Sequence, residues 1–392
     1  MTVPTLPLGD VFDVQLGKML DAKGNRGEPY PYLANRNVQW DRCNLAELPT
    51  MPFTEKDRQR FDLRPGDLLV CEGGEVGRTA VWRGEISECF FQKAVHRLRP
   101  RRHADPRFGL YYMRWATSTG VFRQLTTATS IAHLTKEKLE TAPFPDIPVA
   151  AQRRIAAILD EADALRRKRR EALGLLDDLL RATFVDMFGD PVTNPRGWVS
   201  AATSTLITDS QYGTAEKANT EGVGLPVLRM NNLTYEGRWL LDDIKHVEIP
   251  GADIDKLTVR PGDLLFNRTN SPELVGKTGV WRSRDQFAFA GYLIRFRFDE
   301  TRVLPDYVSG YLNSSAGKQY LFDRAKASNN MSNFSASMFA EIPLRLPPMD
   351  TQRRFAELTW VVEAERATHE AALKSSDTLF TSLLHRAFTG EL

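Results

Sequence analysis

Apolar residues follow two rhythms along this chain, and each rhythm is written twice. Asp67–Cys71, Thr79–Trp82 and Ala94–Arg99 are short β-rich runs between Gly/Pro turns, which predicts three strands. Asp263–Phe266, Thr278–Trp281 and Leu293–Phe298 predict their counterparts. After the first set, Phe108, Tyr111, Tyr112 and Trp115 fall at i, i+3, i+4 and i+7, the core-packed face of a short helix. A long helical pattern follows. Residues 150–186 hold no proline, and Gly174 is their only glycine. Ile155, Ile158, Ala162, Leu165, Arg169, Ala172, Leu176, Leu179 and Thr183 advance by alternating three- and four-residue steps, as a coiled-coil seam does. The same phase in the second copy gives Phe355, Leu358, Val362, Glu365, His369, Ala372, Ser376, Leu379 and Leu383. Each helix is then about 55 Å long at ~1.5 Å per residue.

The repetition extends to individual residues. Leu63-Arg64-Pro65-Gly66-Asp67-Leu68-Leu69 returns as Val259-Arg260-Pro261-Gly262-Asp263-Leu264-Leu265. Val76-Gly77-Arg78-Thr79 returns as Val275-Gly276-Lys277-Thr278, Tyr111 is answered by Tyr311, and Gln152-Arg153-Arg154 by Gln352-Arg353-Arg354. Offsets of 196 to 200 residues are far longer than a solenoid unit of roughly 20–50, so this is a duplicated domain. The expected fold is α+β: two similar mixed α/β domains, residues 1–148 and 189–348, separated by two long helices, 149–188 and 349–392, that form an antiparallel coiled coil. Gly189-Asp190-Pro191 through Pro195-Arg196-Gly197 ends the first helix and turns the chain. The seam is polar in its middle. Arg166-Arg167-Lys168-Arg169-Arg170 lies there on one helix, and Glu363, Glu365 and Glu370 on the other, so pairing brings opposite charges together. Antiparallel pairing also leaves room for the domain between the helices.

Net charge is only +2, with 21 Lys/Arg against 18 Asp/Glu in residues 1–149 and 17 against 17 in 200–349. Any basic surface for nucleic acid must therefore come from uneven placement. Cys43, Cys71 and Cys89 are odd in number and lack metal-ligand spacing, which reads as free thiols in a reducing compartment. Asp10 and Asp13 interrupt the N-terminus, so no signal peptide is expected, and no run approaches the ~18 apolar residues of a membrane span. The expected location is the cytoplasm.

Catalytic signals are sparse. The chain has no Asn/Asp-Pro-Pro-aromatic motif, no glycine-rich strand-to-helix turn for a nucleoside cofactor, and no His-x-x-x-His metal pair. Ser271–Thr278 looks like a phosphate-binding loop, but Ser271 replaces its first glycine and Pro272 removes a backbone donor. The matching loop in the first copy is three residues shorter. Glu72 and Glu75 have no equivalent pair in the second copy and read as variable loop positions. A framework kept twice with loops that differ is the plan of a recognition protein with two readers.

Asp190-Pro191-Val192-Thr193-Asn194-Pro195, Gly197-Trp198, the terminal Ala387–Leu392, both Pro-Gly-Asp-Leu-Leu runs and both Pro-x-x-x-Gln-Arg-Arg starts of the helices resemble the specificity subunit of type I restriction–modification systems. The resemblance covers the whole chain. It implies that each mixed domain reads one half of a split, asymmetric double-stranded DNA target. It implies that the helices set the spacer and dock two copies of a modification (methyltransferase) subunit, with restriction subunits joining afterwards. It implies no cofactor and no catalysis in this chain, S-adenosylmethionine, ATP and Mg belonging to partner subunits. A rod of roughly 55 Å matches about 16 base pairs at ~3.4 Å each.

Base edges are read by Arg, Lys, Asn and Gln, and phosphates by any donor. The DNA-binding candidates in the first copy are Asn35, Arg36, Asn37, Arg78, Gln92, Lys93, Ser130 and His133. Those in the second are Arg229, Asn231, Asn232, Arg268, Asn270, Lys277, Tyr292, Asn330 and Asn333. Two rivals are a single-chain nuclease or methyltransferase, which would act on DNA when purified alone, and a free-standing bipartite DNA-binding regulator, which would leave no methyl mark.

Overall fold

The computed structural model describes residues 3–19, 26–101, 103–125, 133–328 and 331–392. Its contacts divide it into two units, Met1–Arg169 with Ala372–Leu392, and Arg170–Ala371. Both have the same α+β plan.

In the first unit, β1 (Phe12–Leu16), β2 (Leu68–Cys71), β3 (Thr79–Val81) and β4 (Val95–Pro100) form an antiparallel sheet in the order β1-β4-β2-β3. Strand β2 is buried at every position. Leu68 and Val70 enter a core with Phe108, Tyr112 and Phe144, while Leu69 and Cys71 enter a second with Trp82 and Phe90. A strand covered on both faces has no polar alternation, which is why this run is apolar throughout. A smaller sheet of Glu28–Leu33, Thr50–Phe53 and Phe90–Phe91 backs the second core, and Thr5–Pro7 pairs with Pro143–Pro145.

The second unit repeats this with β5 (Ile207–Tyr212), β6 (Leu264–Asn267), β7 (Thr278–Val280) and β8 (Leu293–Phe298) in the order β5-β8-β6-β7. Leu264 and Phe266 face Tyr307 and Phe339, and Leu265 faces Trp281 and Phe289. The smaller sheet is Leu225–Leu228, Lys245–Val247 and Ala288–Phe289, and Val199–Ala202 pairs with Pro343–Leu346.

The Pro-Gly-Asp motif has a physical role in each unit. Gly66 and Gly262 take φ of 94° and 93°, the left-handed position of a type II turn that proline opens. The next residue, Asp67 or Asp263, is almost wholly buried. Asp67 accepts from the Arg64 amide at 2.8 Å and from Arg99 Nε and Nη2 at 2.9 and 2.7 Å. Asp263 accepts from the Arg260 amide at 2.8 Å and from Arg297 Nε and Nη2 at 2.6 and 3.0 Å. One carboxylate thus fixes a turn, the head of the central strand and its neighbouring strand.

Four helices matter to the argument: α1 (Pro106–Ser118), α2 (Val149–Phe188), α3 (Pro305–Asn313) and α4 (Met349–Thr389). Gln152 at the start of α2 accepts from the Asp105 amide and donates to His103 O and Ile147 O; Gln352 does the same with Leu304, Arg302 and Pro347. Tyr112 donates to Pro143 O at 2.7 Å and Tyr311 to Pro343 O at 2.8 Å. The counterpart of Tyr311 is therefore Tyr112, not Tyr111, because the one-residue difference between the copies falls after the short helix, before Pro143 and Pro343.

Within each unit the long helices run antiparallel. In the first, Arg166 pairs with Asp377 at 2.5 Å, Arg169 donates to Ser376 at 3.1 Å, and Phe388 packs on Phe108 and Trp115. In the second, Arg366 pairs with Asp177, and Phe355 packs on Phe184 and Phe188. The heptad phase holds only in part: Ile155, Ala162, Phe355, Val362 and Ser376 are buried, but other positions of the pattern are not. Leu165 and Leu179 are 41% and 50% exposed, and Leu358, Glu365 and Leu379 are exposed too. Buried positions outside the pattern include Leu159, Asp163, Phe184 and Phe188 on α2 and Arg366, Phe380 and Leu384 on α4. An α-helix gains about 20° on a seven-residue repeat per heptad, so a fixed phase walks off the contact. The basic run also finds partners the pattern did not single out. Arg166 and Arg167 meet Asp163, and Arg167 reaches Asp41 of the domain. Glu370 meets Arg238 at 3.9 Å, and Glu365 meets His369 at 3.2 Å.

Removing the turn carboxylate leaves a strand arginine unpaired. Asp67→Ala and Asp263→Ala are each expected to cost about 3 kcal/mol in urea unfolding, the range for breaking a buried pair. A loss under about 0.5 kcal/mol, as at an ordinary surface position, would remove the motif from the frame.

Candidate nucleic-acid interface

The candidate residues gather at loops that follow the central strands. In the first unit the loop after β2 is the meeting point. Asn35 Nδ2 donates to Gly73 O at 2.8 Å, and Arg78 Nη2 donates to Asn35 Oδ1 at 2.8 Å. The Gln92–Lys93 turn lies beside them, through Gln92 N to Leu33 O at 3.1 Å and Glu72 N to Ala94 O at 3.0 Å. The exposed His133 ring lies over Gly73. Arg36 and Lys93 are exposed, and Gln92 is half-buried. Asn37 is not available. It is buried, accepts from the Ala34 amide and donates to Asn44 O and Glu47 O. Ser130 lies outside the described residues.

The second unit brings together Arg268, Asn270, Tyr292 and Asn333. Arg268 places its guanidinium 5.2 Å from the Tyr212 ring centre and donates to Gly291 O at 3.3 Å. Its amide donates to Tyr292 O at 3.0 Å, and its carbonyl accepts from Phe334 N at 2.8 Å. Thr269–Asn270 pairs with Met331–Asn333, and Thr269 Oγ1 donates to Asn333 Oδ1 at 2.5 Å. Tyr292 is 52% exposed. This longer loop therefore adds one strand to a small sheet completed by Met331–Asn333 and Lys326–Ser328.

Arg229, Asn231 and Asn232 lie apart from that group, on the turn Met230–Asn232. Arg229 pairs with Asp243 at 2.9 Å, and Asn231 is exposed. Asn232 is buried and repeats the role of Asn37, accepting from the Arg229 amide and donating to Leu240 O and Asp243 O. Lys277 is also buried, with Nζ donating at 2.6 Å to both Met230 O and Leu233 O. Burial pulls its ammonium below lysine's usual value. An amine spent on two carbonyls is withdrawn from DNA and from any phosphate in the Ser271–Thr278 loop. Asn330 lies outside the described residues.

Among the described residues no group of His, Cys, Asp and Glu is arranged to hold a metal, and no helix is long and apolar enough to cross a membrane. Burial raises all three thiols, Cys43 and Cys89 to about 12. Glu75 is taken by Trp40 Nε1 at 2.6 Å.

Comparison with known proteins points to one family. The model of the type I restriction modification DNA specificity domain matches residues 2–174, the first copy of the duplication. The specificity subunit of type I restriction enzyme StySPI from Salmonella potsdam is 22% identical over 384 residues, covering 92% of this chain and 82% of that protein. That of EcoKI from Escherichia coli K12 is 23% identical over 386 residues with the same coverage. Over most of its length the chain is similar to type I restriction–modification specificity subunits. Its fold matches the crystal structure of such an S subunit from M. genitalium with a TM-score of 0.59, over 99% of both chains at 14% identity.

Sequence reasoning missed three groups of this chain. Tyr212 lies under Arg268. Asn267, wholly buried, donates to Thr269 O and Tyr292 O and shapes the second loop. His96 is wholly buried and its Nε2 bonds Leu134 O at 2.8 Å, holding the segment that carries His133. The unbroken polar run Asn267-Arg268-Thr269-Asn270 after an apolar strand was the available signal for Asn267. For His96 there was none, since an inward position on a strand is settled by its neighbours.

Burial lowers the His96 pKa below the usual imidazole value of about 6.5, so the native state keeps it neutral. The unfolded chain takes up that proton more readily. This contribution to stability is complete above about pH 6.5 and is lost as pH falls below it. The urea midpoint of the first unit is expected to drop between about pH 7.5 and about pH 5.5, and His96→Gln is expected to flatten the drop. An equal slope in both proteins would clear His96.

Proposed function

We propose that this chain is a type I restriction–modification specificity subunit that reads a split, asymmetric DNA target, one half with each domain, and itself performs no chemistry. The observation that carries the reading is the contrast between frame and loops. The Asp–Arg turn, the glutamine at each long-helix start and the tyrosine anchor are the same in both copies. The loops they support are different. The first presents Arg36, Lys93 and His133, and the second presents Arg268, Tyr292 and Asn231. Two different readers on one chain fit two different half-sites, whereas a homodimeric reader fits a palindrome.

Two modification subunits would bind S-adenosylmethionine and methylate adenine at the half-sites, and restriction subunits would bring ATP and Mg. Each long helix begins in one unit and ends in the other, which suits it to set the spacer. A DNA target and reduced thiols suit the cytoplasm.

The test is a methylome. The chain is expressed with its modification subunit and methylated bases are mapped by single-molecule sequencing. A split motif with methyl-adenine in each half is expected. A continuous palindrome, or no methylation by a soluble complex, would favour a free-standing regulator. Replacing residues 200–345 with the matching segment of a relative is expected to change one half of the motif and leave the other. If both halves change, the domains are not independent readers. Inserting four residues into each long helix, about one turn, is expected to lengthen the spacer and preserve both half-sites.

A further inference from the structure

A duplicated frame makes a space that is filled in one copy and open in the other informative. In the first unit two arginines of α1 pack against the Trp40–Asp41 turn and the long helices. Arg107 is held by Asp41, Asp160 and the Tyr111 hydroxyl. Arg114 stands over the rings of Trp40 and Phe380, 5.4 and 5.5 Å from their centres, and pairs with Asp163 at 3.3 Å. Arg166 shares that carboxylate at 2.9 Å.

In the second unit the tyrosine and glutamine anchors fix the register, and Arg107, Tyr111 and Arg114 become Asp306, Gly310 and Asn313. All three are shorter, and a pocket of about 320 Å³ opens beside them. Trp239, Leu240 and Phe355 supply apolar wall. Its polar lining is incomplete. Glu363 stands where Asp163 stands in the first copy. It is half-buried and accepts no direct hydrogen bond, and Arg366, Arg282 and Arg238 act on it only from a distance. Asn313 donates its amide to Thr278 O at 2.8 Å, but its Oδ1 is buried without a donor. Arg366 is 3% exposed and pairs with Asp177 through Nη2, leaving Nη1 and Nε buried without acceptors.

The missing partners are a cationic donor for Glu363 and Asn313 and, within the same small space, an acceptor for Arg366. We propose that this pocket binds arginine, its guanidinium taking the place that Arg114 fills in the first copy and its carbonyl or carboxylate oxygen meeting Arg366. The source is free arginine or an arginine side chain with its backbone carbonyl from a partner subunit. The planar guanidinium spreads its donors in a fork that reaches both oxygens at once.

The test is calorimetric titration of the full chain with L-arginine and with L-citrulline, which replaces the guanidinium by a neutral urea. Saturable binding of arginine is expected, with citrulline about tenfold weaker or more, as loss of a charged hydrogen bond predicts. Asn313→Arg should fill the pocket from within and abolish binding. Glu363→Gln keeps the shape and should weaken arginine about tenfold; it decides the matter if Asn313→Arg does not fold. Repeating the titration on the chain assembled with its modification subunit separates the sources. Binding that survives assembly assigns the pocket to free arginine, and binding lost on assembly assigns it to a partner side chain. No saturable binding to the chain alone, equal binding of citrulline, or indifference to Glu363→Gln would overturn the proposal.

Discussion

A single carboxylate at the head of the central strand carries each domain. Asp67 and Asp263 are about as buried as the leucines that follow them. Taking a charge out of water is costly unless it is paired and its lone pairs are used. Here both oxygens are used, by a two-pronged arginine from the neighbouring strand and by the backbone amide that opens the turn. That geometry admits one register of the two strands. Once it is set, alternate residues fall to opposite faces and the two cores are specified together. The loops that follow the strand can then vary without moving the sheet, which is what a recognition domain requires.

The long helices obey a looser constraint, and here pattern and structure part company. The seam was legible as a seam. Its phase held at Ile155, Ala162, Phe355, Val362 and Ser376 and slipped elsewhere, because alternating three and four is only an approximation to 3.6 residues per turn. The error shows at Leu165 and Leu179, which are well exposed, while the polar Asp163 and Arg366 are buried. Burial of those charges follows from partners on elements far away in sequence, and no local window holds that information.

The candidate interface was legible to the same depth. Polar residues after apolar strands marked loops that the fold draws together: Asn35 meets Arg78 in one copy, and Arg268, Asn270 and Asn333 meet in the other. Which of them face outward was hidden. Asn37, Asn232 and Lys277 carry the chemistry of DNA-reading side chains yet spend it on backbone carbonyls. The choice is energetic. A short turn buries several carbonyls, and an amide or ammonium inside is the least costly way to satisfy them. Arg36, Lys93 and Tyr292, which brace no such turn, keep their polar groups at the surface.

Duplication relaxes the second copy as well as repeating the first. Arg114 bridges two aromatic rings and an acid, so its loss should have been destabilising unless the neighbourhood changed with it. Part of the neighbourhood did change. Asp306 gained Arg282 at 2.5 Å, and Arg366 kept Asp177. Asn313 Oδ1 and two nitrogens of Arg366 were left buried without partners, beside a half-buried Glu363. A core that had merely drifted would be expected to replace such groups by apolar ones, since an unpaired buried polar atom costs more than an apolar substitute. Their persistence around one pocket argues that something outside this copy of the fold completes them.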